Sequence, residues 1–256
     1  GRNMNTSINF ILQGKGGVGK SFATSILSQY FIDEKQLENV VVADTDPVNT
    51  TTAKVKRLNA EIIKIVENNN IVQSKFDSMF ESILEGGNIN FVIDNGASTF
   101  LPLLQYFDDN CVMDMFNEVE QDVYIHTIIV GGQAQADTIE GFENIVKLVK
   151  GTKVKIIVWI NEFQGEPILS GKHITETNFF EKNKDVIAGA ILIKDRKSDA
   201  FDTDIKKLTA NSMTLTEALE SKEFGLMAKS RLKRVFNDVY VQLDAIYDPE
   251  SVEANA

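Results

Sequence analysis

Short runs of apolar residues alternate along this chain with longer stretches in which apolar residues recur every three or four positions. Runs of Val, Ile and Phe without polar alternation are typical of strands covered on both faces of a sheet. They predict strands at Ile8–Leu12, Val40–Ala43, Ile62–Val66, Phe91–Ile93, Val123–Val130, Val154–Ile160 and Ile187–Ile193. The helical periodicity predicts helices that include Ser21–Ile32, Val72–Leu84, Ala136–Val149 and Met227–Ile246.

The alternation of strands and helices is typical of parallel sheets with right-handed crossover connections. We therefore expect an α/β fold with a mostly parallel, twisted central sheet and helices on both of its faces. The pattern continues through residues 4–247, which we expect to form a single domain. Residues 1–3 precede a methionine and are interpreted as a vector-derived remnant, and the polar, acidic residues 248–256 as a disordered tail.

The loop between the first predicted strand and the first predicted helix reads GKGGVGKS, residues 14–21. Its glycines allow successive backbone N–H groups to surround one phosphate, and the following helix adds the positive end of its dipole. Lys20 would contact the β- and γ-phosphates, and the Ser21 hydroxyl would bind Mg²⁺. The sequence therefore predicts a P-loop NTPase that binds nucleotide through Gly16, Gly17, Val18, Gly19, Lys20, Ser21 and Phe22.

Two carboxylates, Asp44 and Asp46, follow the second predicted strand, at the sheet edge where ligands of such folds bind. Asp46 would orient or deprotonate the water that attacks the γ-phosphate, with Pro47 fixing the turn that aims it. Asp44 would bind a Mg²⁺-ligating water or steer Lys20. The alternative for this D-x-D pattern is a solvated turn closed by an aspartate side chain.

Later strand ends supply further candidates. Asp94 ends an apolar run as a Walker B aspartate does and would reach Mg²⁺ through a water, and Gly96 would offer an N–H to the γ-phosphate. Asn161 would hydrogen-bond the adenine edge, with a helix cap as a nearly equal alternative. The pair Gly131-Gly132 is explained equally well by a close backbone approach or by a sharp turn.

Composition narrows the range of functions. The net charge of −11 and pI of about 4.8 argue against non-specific nucleic-acid binding by the whole surface. Cys111 is the single cysteine, which excludes a disulfide framework within one chain, and we expect a buried structural thiol. His126 is expected to be a satisfied core histidine and His173 a surface residue. Because no apolar run is long enough to span a membrane and no signal peptide is recognised, we expect a cytoplasmic protein.

These loops together resemble the deviant Walker A ATPases, the family of ParA, MinD and the nitrogenase iron protein. The phosphate loop matches the pattern K-G-G-x-G-K-[ST] with Lys15 at the signature-lysine position. The resemblance implies that Lys15 crosses a dimer interface to the partner's nucleotide, and that Lys15, Lys20 and Asp46 share the catalysis. Phe22 departs from the second threonine common in the family, while Ser21 still supplies the metal hydroxyl.

Longer strings are similar to the TraL family, ATPase-like proteins of the transfer regions of conjugative plasmids. They are LQGKGGVGKS at 12–21, DTDPVN at 44–49, IDNGAS at 93–98 and VWIN at 158–161. This resemblance implies a slow ATPase that binds ATP or ADP with Mg²⁺ and acts as a nucleotide-dependent dimerisation switch. It also implies a homodimer in the ATP state and a protein partner from the plasmid transfer machinery.

Other functions remain as alternatives. A ParA-type plasmid partition ATPase would bind DNA non-specifically in its ATP state, through a basic group at Lys229, Arg231, Lys233 and Arg234. We favour a solvated helix face for that group. An apolar stripe on the last long helix would allow MinD-like membrane recruitment, although packing on the sheet explains the stripe more simply. A metabolic ATP-using enzyme ranks low, because no separate cluster for a second substrate is recognised.

Overall fold

The structure is a computed structural model that describes residues 4–46, 48–68 and 70–254. Pro47 and residues 1–3, for which the sequence carries expectations, lie outside the described residues. In chain order the strands are β1 (Ser7–Ile11), β2 (Val40–Asp44), β3 (Glu61–Ile62), β4 (Val66–Glu67), β5 (Asn70–Ile71), β6 (Asn90–Asp94), β7 (Asp122–Val130), β8 (Lys155–Asn161), β9 (Ile168–Leu169), β10 (Lys172–His173) and β11 (Ile187–Ile193).

The described residues form one seven-stranded sheet in the order β11-β8-β7-β1-β6-β2-β3. Every neighbouring pair in it is parallel. The strand β1 therefore lies in the middle, between β6 and β7. Because all strands point the same way, the loops that follow β1, β2, β6 and β8 open at one edge of the sheet.

Helices account for most of the connections between strands. They are α1 (Lys20–Gln29), α2 (Thr51–Lys54), α3 (Gln73–Glu85), α4 (Phe100–Asp109), α5 (Val112–Asn117), α6 (Gln135–Val149), α7 (Asn178–Lys182), α8 (Asp199–Ala210), α9 (Leu215–Glu220), α10 (Leu226–Tyr247) and α11 (Pro249–Ala254). The helix α1 continues as a π-helical turn over Tyr30–Glu34.

Two hydrophobic cores lie on opposite faces of the sheet. One is rich in phenylalanine and packs α3, α4, α5 and α6 against the strands. The other packs α1, α8, α9 and α10. Strands buried on both faces explain the continuous apolar runs of the sequence. The α/β fold with a parallel central sheet and helices on both faces is confirmed.

The structure differs from the strand prediction at Ile62–Val66. Strand β3 ends at Ile62 and β4 begins only at Val66; between them, Ile65 is fully buried in the phenylalanine-rich core. An apolar run alone does not distinguish a buried strand from a buried segment outside a strand. The structure also contains α4 and α5, which were not among the helices named from the sequence.

Three single-residue expectations have different outcomes. The expectation of a buried thiol at Cys111 is wrong, because this residue is exposed in the turn between α4 and α5, with a left-handed φ of 53°. His126 is fully buried and hydrogen-bonded, as expected. His173 is only partly exposed, because its ring contacts Glu162 at 3.0 Å. Within the tail expected to be disordered, residues 249–254 form α11.

Candidate functional site

The predicted phosphate loop joins the end of β1 to the N-terminus of α1, as the motif requires. Gly17 and Gly19 have left-handed φ angles of 74° and 98°, which residues with a Cβ adopt at a cost. A Cβ at Gly19 would also lie 2.6 Å from the side-chain nitrogen of Asn161. Gly16 and Gly17 are exposed, whereas Val18 is buried beneath the loop. The loop thus presents its backbone to solvent at the start of a helix, the setting that favours an anion.

Asp94, at the end of β6, is the centre of the site. Its buried carboxylate forms an ion pair with Lys20 and accepts hydrogen bonds from two hydroxyls, Ser21 at 3.3 Å and Thr52 at 2.6 Å. Three donors from two separate segments therefore converge on one carboxylate. This brings together the predicted phosphate lysine, the predicted metal hydroxyl and the predicted Walker B aspartate.

Asp44, at the end of the neighbouring strand β2, is also buried. It accepts hydrogen bonds from the backbone N–H groups of Asp46 and Ala53, each at 3.0 Å. Burial raises the pKa of Asp44 above its ordinary value, and the nearby charge of Asp94 adds to this rise. The two N–H donors and the charge of Lys20 oppose it.

The donor set fits Mg²⁺. Asp44, Asp94 and Ser21 offer only carboxylate and hydroxyl oxygens, the hard ligands that this ion prefers. The part of the chain that the structure describes has no group of three or more His, Cys, Asp or Glu residues able to hold a metal alone. Mg²⁺ is usually held by one or two carboxylates together with waters and substrate phosphates.

Asp46 closes a turn within its own loop. Its Oδ1 atom accepts hydrogen bonds from the N–H groups of Val48 and Asn49, both at 2.9 Å. This is the aspartate-closed turn that the sequence left as the alternative to a catalytic role. Gly96 lies against it, since a Cβ there would come within 2.8 Å of the Asp46 carboxyl carbon. The contact of Gly96 with a γ-phosphate stays a prediction.

Lys15 lies on the open side of the loop with 47% of its side chain exposed. Its ammonium group is 3.5 Å from Asp137 in the first turn of α6, and its backbone N–H donates to Gln13. Clefts of about 370 and 500 Å³ adjoin Lys15 on two sides. The Lys15 side chain is therefore accessible from solvent, and its role as a signature lysine stays a prediction.

Asn161 serves as the cap that the sequence offered as an alternative. Its side chain accepts from the N–H of Phe163 at 3.2 Å and donates to the carbonyl of Val18 at 3.0 Å. Adenine recognition by Asn161 stays a prediction. The two glycines after β7 allow a close backbone approach within the chain, because a Cβ at Gly131 would lie 2.4 Å from the Gly165 carbonyl oxygen.

Phe22 packs its ring between Phe163 and Phe236, which explains an aromatic residue where the family has threonine. Its contact with nucleotide stays a prediction. Several side chains that contact predicted site residues were not predicted from the sequence, among them Thr52, Asp137 and Gln164. None of them lies in a motif. Asp137 alone has a recognisable local signal, because acidic residues are favoured in the first turn of a helix.

The basic group on α10 is partly neutralised. Arg231 pairs with Asp204 at 2.5 Å, and Arg234 stacks over the ring of Phe201 at 5.3 Å. These contacts hold two of the four cations against their own protein. DNA binding through this group stays a prediction.

The apolar stripe on α10 packs on the sheet. Its members are buried in the core or packed against it, including Leu232, Phe236 and Leu243. This agrees with the packing explanation favoured from the sequence. Among the described helices, none combines the length and apolar character needed to cross a bilayer.

The chain is similar to a known family and to two named proteins. Residues 10–208 match the family described as the CobQ/CobB/MinD/ParA nucleotide binding domain. Two proteins of Escherichia coli, each named Protein TraL, are 34% and 32% identical over 238 and 237 residues. Each alignment covers 93% of this chain and 97% of its relative.

A solved structure, the MinC:MinD cell division protein complex of Aquifex aeolicus, shares the fold. It superposes with a TM-score of 0.51 at 15% sequence identity, covering 94% of this chain and 96% of that one. The family match spans the phosphate loop and every carboxylate of the site, and the TraL proteins are similar over nearly the whole length. The chain therefore belongs to the CobQ/CobB/MinD/ParA family of nucleotide-binding domains, with the TraL proteins among its relatives.

Proposed function

We propose that this protein is a Mg²⁺-dependent ATPase that works in the cytoplasm as an ATP-driven dimerisation switch for conjugative plasmid transfer. The observation that carries the proposal is the convergence of Lys20 and Ser21 on Asp94, behind a loop with two left-handed glycines. This arrangement supplies a cation, a hydroxyl and a carboxylate at a helix N-terminus, the groups that handle a metal-bound triphosphate.

Nucleotide binding would rearrange these contacts. The β- and γ-phosphates compete with Asp94 for the ammonium group of Lys20, which lies at the phosphate end of α1. Ser21 and Asp94, with Asp44 beside them, would hold Mg²⁺, which neutralises charge on the phosphates. Lys20 would do the same from the other side, while the helix N-terminus orients the γ-phosphate.

Asp46 would orient the attacking water. Its Oδ1 atom accepts hydrogen bonds from the N–H groups of Val48 and Asn49, and we expect this turn to rearrange when Asp46 acts on the water. The change Asp46→Ala is expected to slow ATP turnover strongly while leaving the affinity for ATP within a few-fold. An equal loss of binding and turnover would contradict this role.

Dimerisation is supported by what lies beside the phosphate loop. Lys15 is half exposed, and two large apolar side chains face solvent, Leu101 with 65% of its surface accessible and Val48, beside the Asp46 turn, with 76%. Leu101 lines the same cleft as Lys15. A second copy that brought the same surface would cover these apolar groups and place each Lys15 near the other nucleotide.

Light scattering with a non-hydrolysable ATP analogue tests the switch. The wild type should double its mass with the analogue and Mg²⁺, and Lys15→Ala should remain monomeric although it still binds the analogue. Lys147→Ala removes another exposed lysine, on α6, and should dimerise normally. Unchanged ATP-dependent association of the Lys15 variant would overturn the mechanism.

The role in plasmid transfer is supported by similarity to the TraL proteins. Replacing the plasmid gene with the Lys20→Ala form should lower the transfer frequency as much as deleting it. The partition alternative predicts something different, namely salt-sensitive binding of the ATP-bound dimer to arbitrary duplex DNA. Absence of that binding would exclude the alternative.

A further inference from the structure

Thr52 contacts the site from outside every motif. It lies in α2, a single helical turn after the Asp46 loop, and only 1% of its surface is accessible. Its hydroxyl donates to Asp94 at 2.6 Å, and the next residue, Ala53, donates its backbone N–H to Asp44 at 3.0 Å. Two consecutive residues of α2 thus hold the two buried carboxylates of the site.

The three side chains that donate to Asp94 are expected to respond differently when a nucleotide binds. Under the proposed function, on which this inference rests, Lys20 turns to the phosphates and Ser21 to the metal. Thr52 has neither assignment. A buried carboxylate that loses its donors is costly, so the remaining hydrogen bond gains importance when the other two are withdrawn.

We propose that Thr52 is a positioning residue that holds Asp94 in place for the metal. Through the same hydrogen bond, it couples the position of α2 to whether the site holds nucleotide. Residues that orient a metal-binding carboxylate from behind commonly change metal affinity 10- to 100-fold when they are removed. Thr52 is suited to this role because it is buried, has a short hydroxyl contact and belongs to a different segment from the phosphate loop.

The hydrogen bond between Thr52 and Asp94 also affects the segment that precedes α2. Helix α2 has only four residues and no side-chain hydrogen bond at its N-cap, so little else within it resists opening. Val48, between the Asp46 turn and α2, is largely exposed. A shift of Asp94 on nucleotide binding would therefore reach the Asp46 turn through Thr52.

The neighbouring threonine provides a matched control. Thr51 is partly exposed, and no side-chain hydrogen bond is seen for it among the described residues. Thr52→Val keeps the shape of the side chain and removes the hydroxyl, and Thr52→Ser restores the hydroxyl. Thr51→Val makes the same chemical change one residue away.

The experiment measures how much Mg²⁺ each full-length variant needs to bind a fluorescent ATP analogue. The Mg²⁺ concentration for half-maximal binding should rise at least tenfold in Thr52→Val. It should stay within about twofold of the wild type in Thr52→Ser and Thr51→Val, a tolerance set by the small effects of changes that touch no partner. Without nucleotide, amide hydrogen exchange over residues 48–54 should be faster in Thr52→Val alone, because this hydrogen bond exists before nucleotide binds.

Two results would overturn the role of Thr52. One is an unchanged Mg²⁺ requirement in Thr52→Val when the wild type binds the analogue in a Mg²⁺-dependent way. The other is a Thr52→Ser variant as impaired as Thr52→Val, which would indicate a packing role. If the wild type itself bound no nucleotide, the proposed function would fail instead, and normal exchange over residues 48–54 in Thr52→Val would independently refute the coupling of α2 to the site.

Discussion

A buried histidine gives this protein a stability that depends on pH. His126 on β7 is fully buried; its Nδ1 accepts a hydrogen bond from Trp159 at 2.9 Å, and its Nε2 faces Asn9 Oδ1 at 2.9 Å. The Trp159 donor requires an unprotonated Nδ1, so the ring is neutral with its proton on Nε2. A second proton would point at the indole N–H. Burial lowers the pKa of His126 from 6.5 to about 3.

The direction and size of the effect follow from linkage. Between the unfolded pKa of 6.5 and the folded pKa of about 3, the unfolded chain binds a proton at this residue and the folded protein does not. Stability from His126 is therefore fully present above pH 6.5 and is lost as the pH falls towards 3. At pH 5 the loss amounts to about 2 kcal/mol, from about 1.4 kcal/mol per pH unit over about 1.5 units.

Urea unfolding at pH 7.5 and pH 5 tests this value. Trp159 is the only tryptophan and is buried against His126, so its fluorescence reports unfolding directly. The comparison is with His126→Gln, which removes the titration and keeps an amide able to donate and accept. The free energy of unfolding should fall by about 2 kcal/mol more in the wild type than in the variant.

Groups other than His126 cancel in this comparison. The buried carboxyl of Asp44, whose pKa burial raises, is present in both proteins and contributes equally to each pH dependence. An identical pH dependence of the two proteins would refute the reasoning. It would mean that the His126 ring is protonated in the folded protein or that the site hydrates.

Three further changes test individual contacts. Lys20→Ala should abolish nucleotide binding in a fluorescence titration and lower the free energy of unfolding by about 3 kcal/mol, because Asp94 is left as a buried charge without its cation. Gly131→Ala should cost about 2 kcal/mol in urea unfolding, since the new Cβ would overlap backbone oxygens, whereas Gly87→Ala, with its nearest atom at 3.8 Å, should cost less than about 1 kcal/mol. Tyr247→Phe should cost about 1 kcal/mol at neutral pH by removing a buried hydroxyl donor, and an unchanged urea midpoint would contradict this.

Local patterns in the sequence were sufficient for much of the fold. Runs such as Val154–Ile160 predict a strand buried on both faces, and β8 is that strand. The helix over Ala136–Val149 is likewise predicted by its periodicity to within one residue. Both signals are local, because the period of side-chain burial is a property of the element itself.

The candidate site divides in the same way. The glycines of the phosphate loop, Lys20 and the strand-ending Asp94 are recognisable because backbone geometry and strand direction fix where they lie. Asp46 was less predictable: the sequence favours a catalytic role with a closed turn as the alternative, and its carboxylate closes such a turn in the structure.

By itself, the sequence determined the parallel α/β sheet, the phosphate loop and the carboxylates at the strand ends, because each depends on residue spacing and backbone conformation. Only the tertiary structure decided that Thr52 holds Asp94, that Asp137 meets Lys15 and that Cys111 is exposed. Thr52 and Asp94 are 42 residues apart, and neither carries a local signal of the other. Such contacts arise when packing brings separate segments to one edge of the sheet, and no period along the chain encodes them.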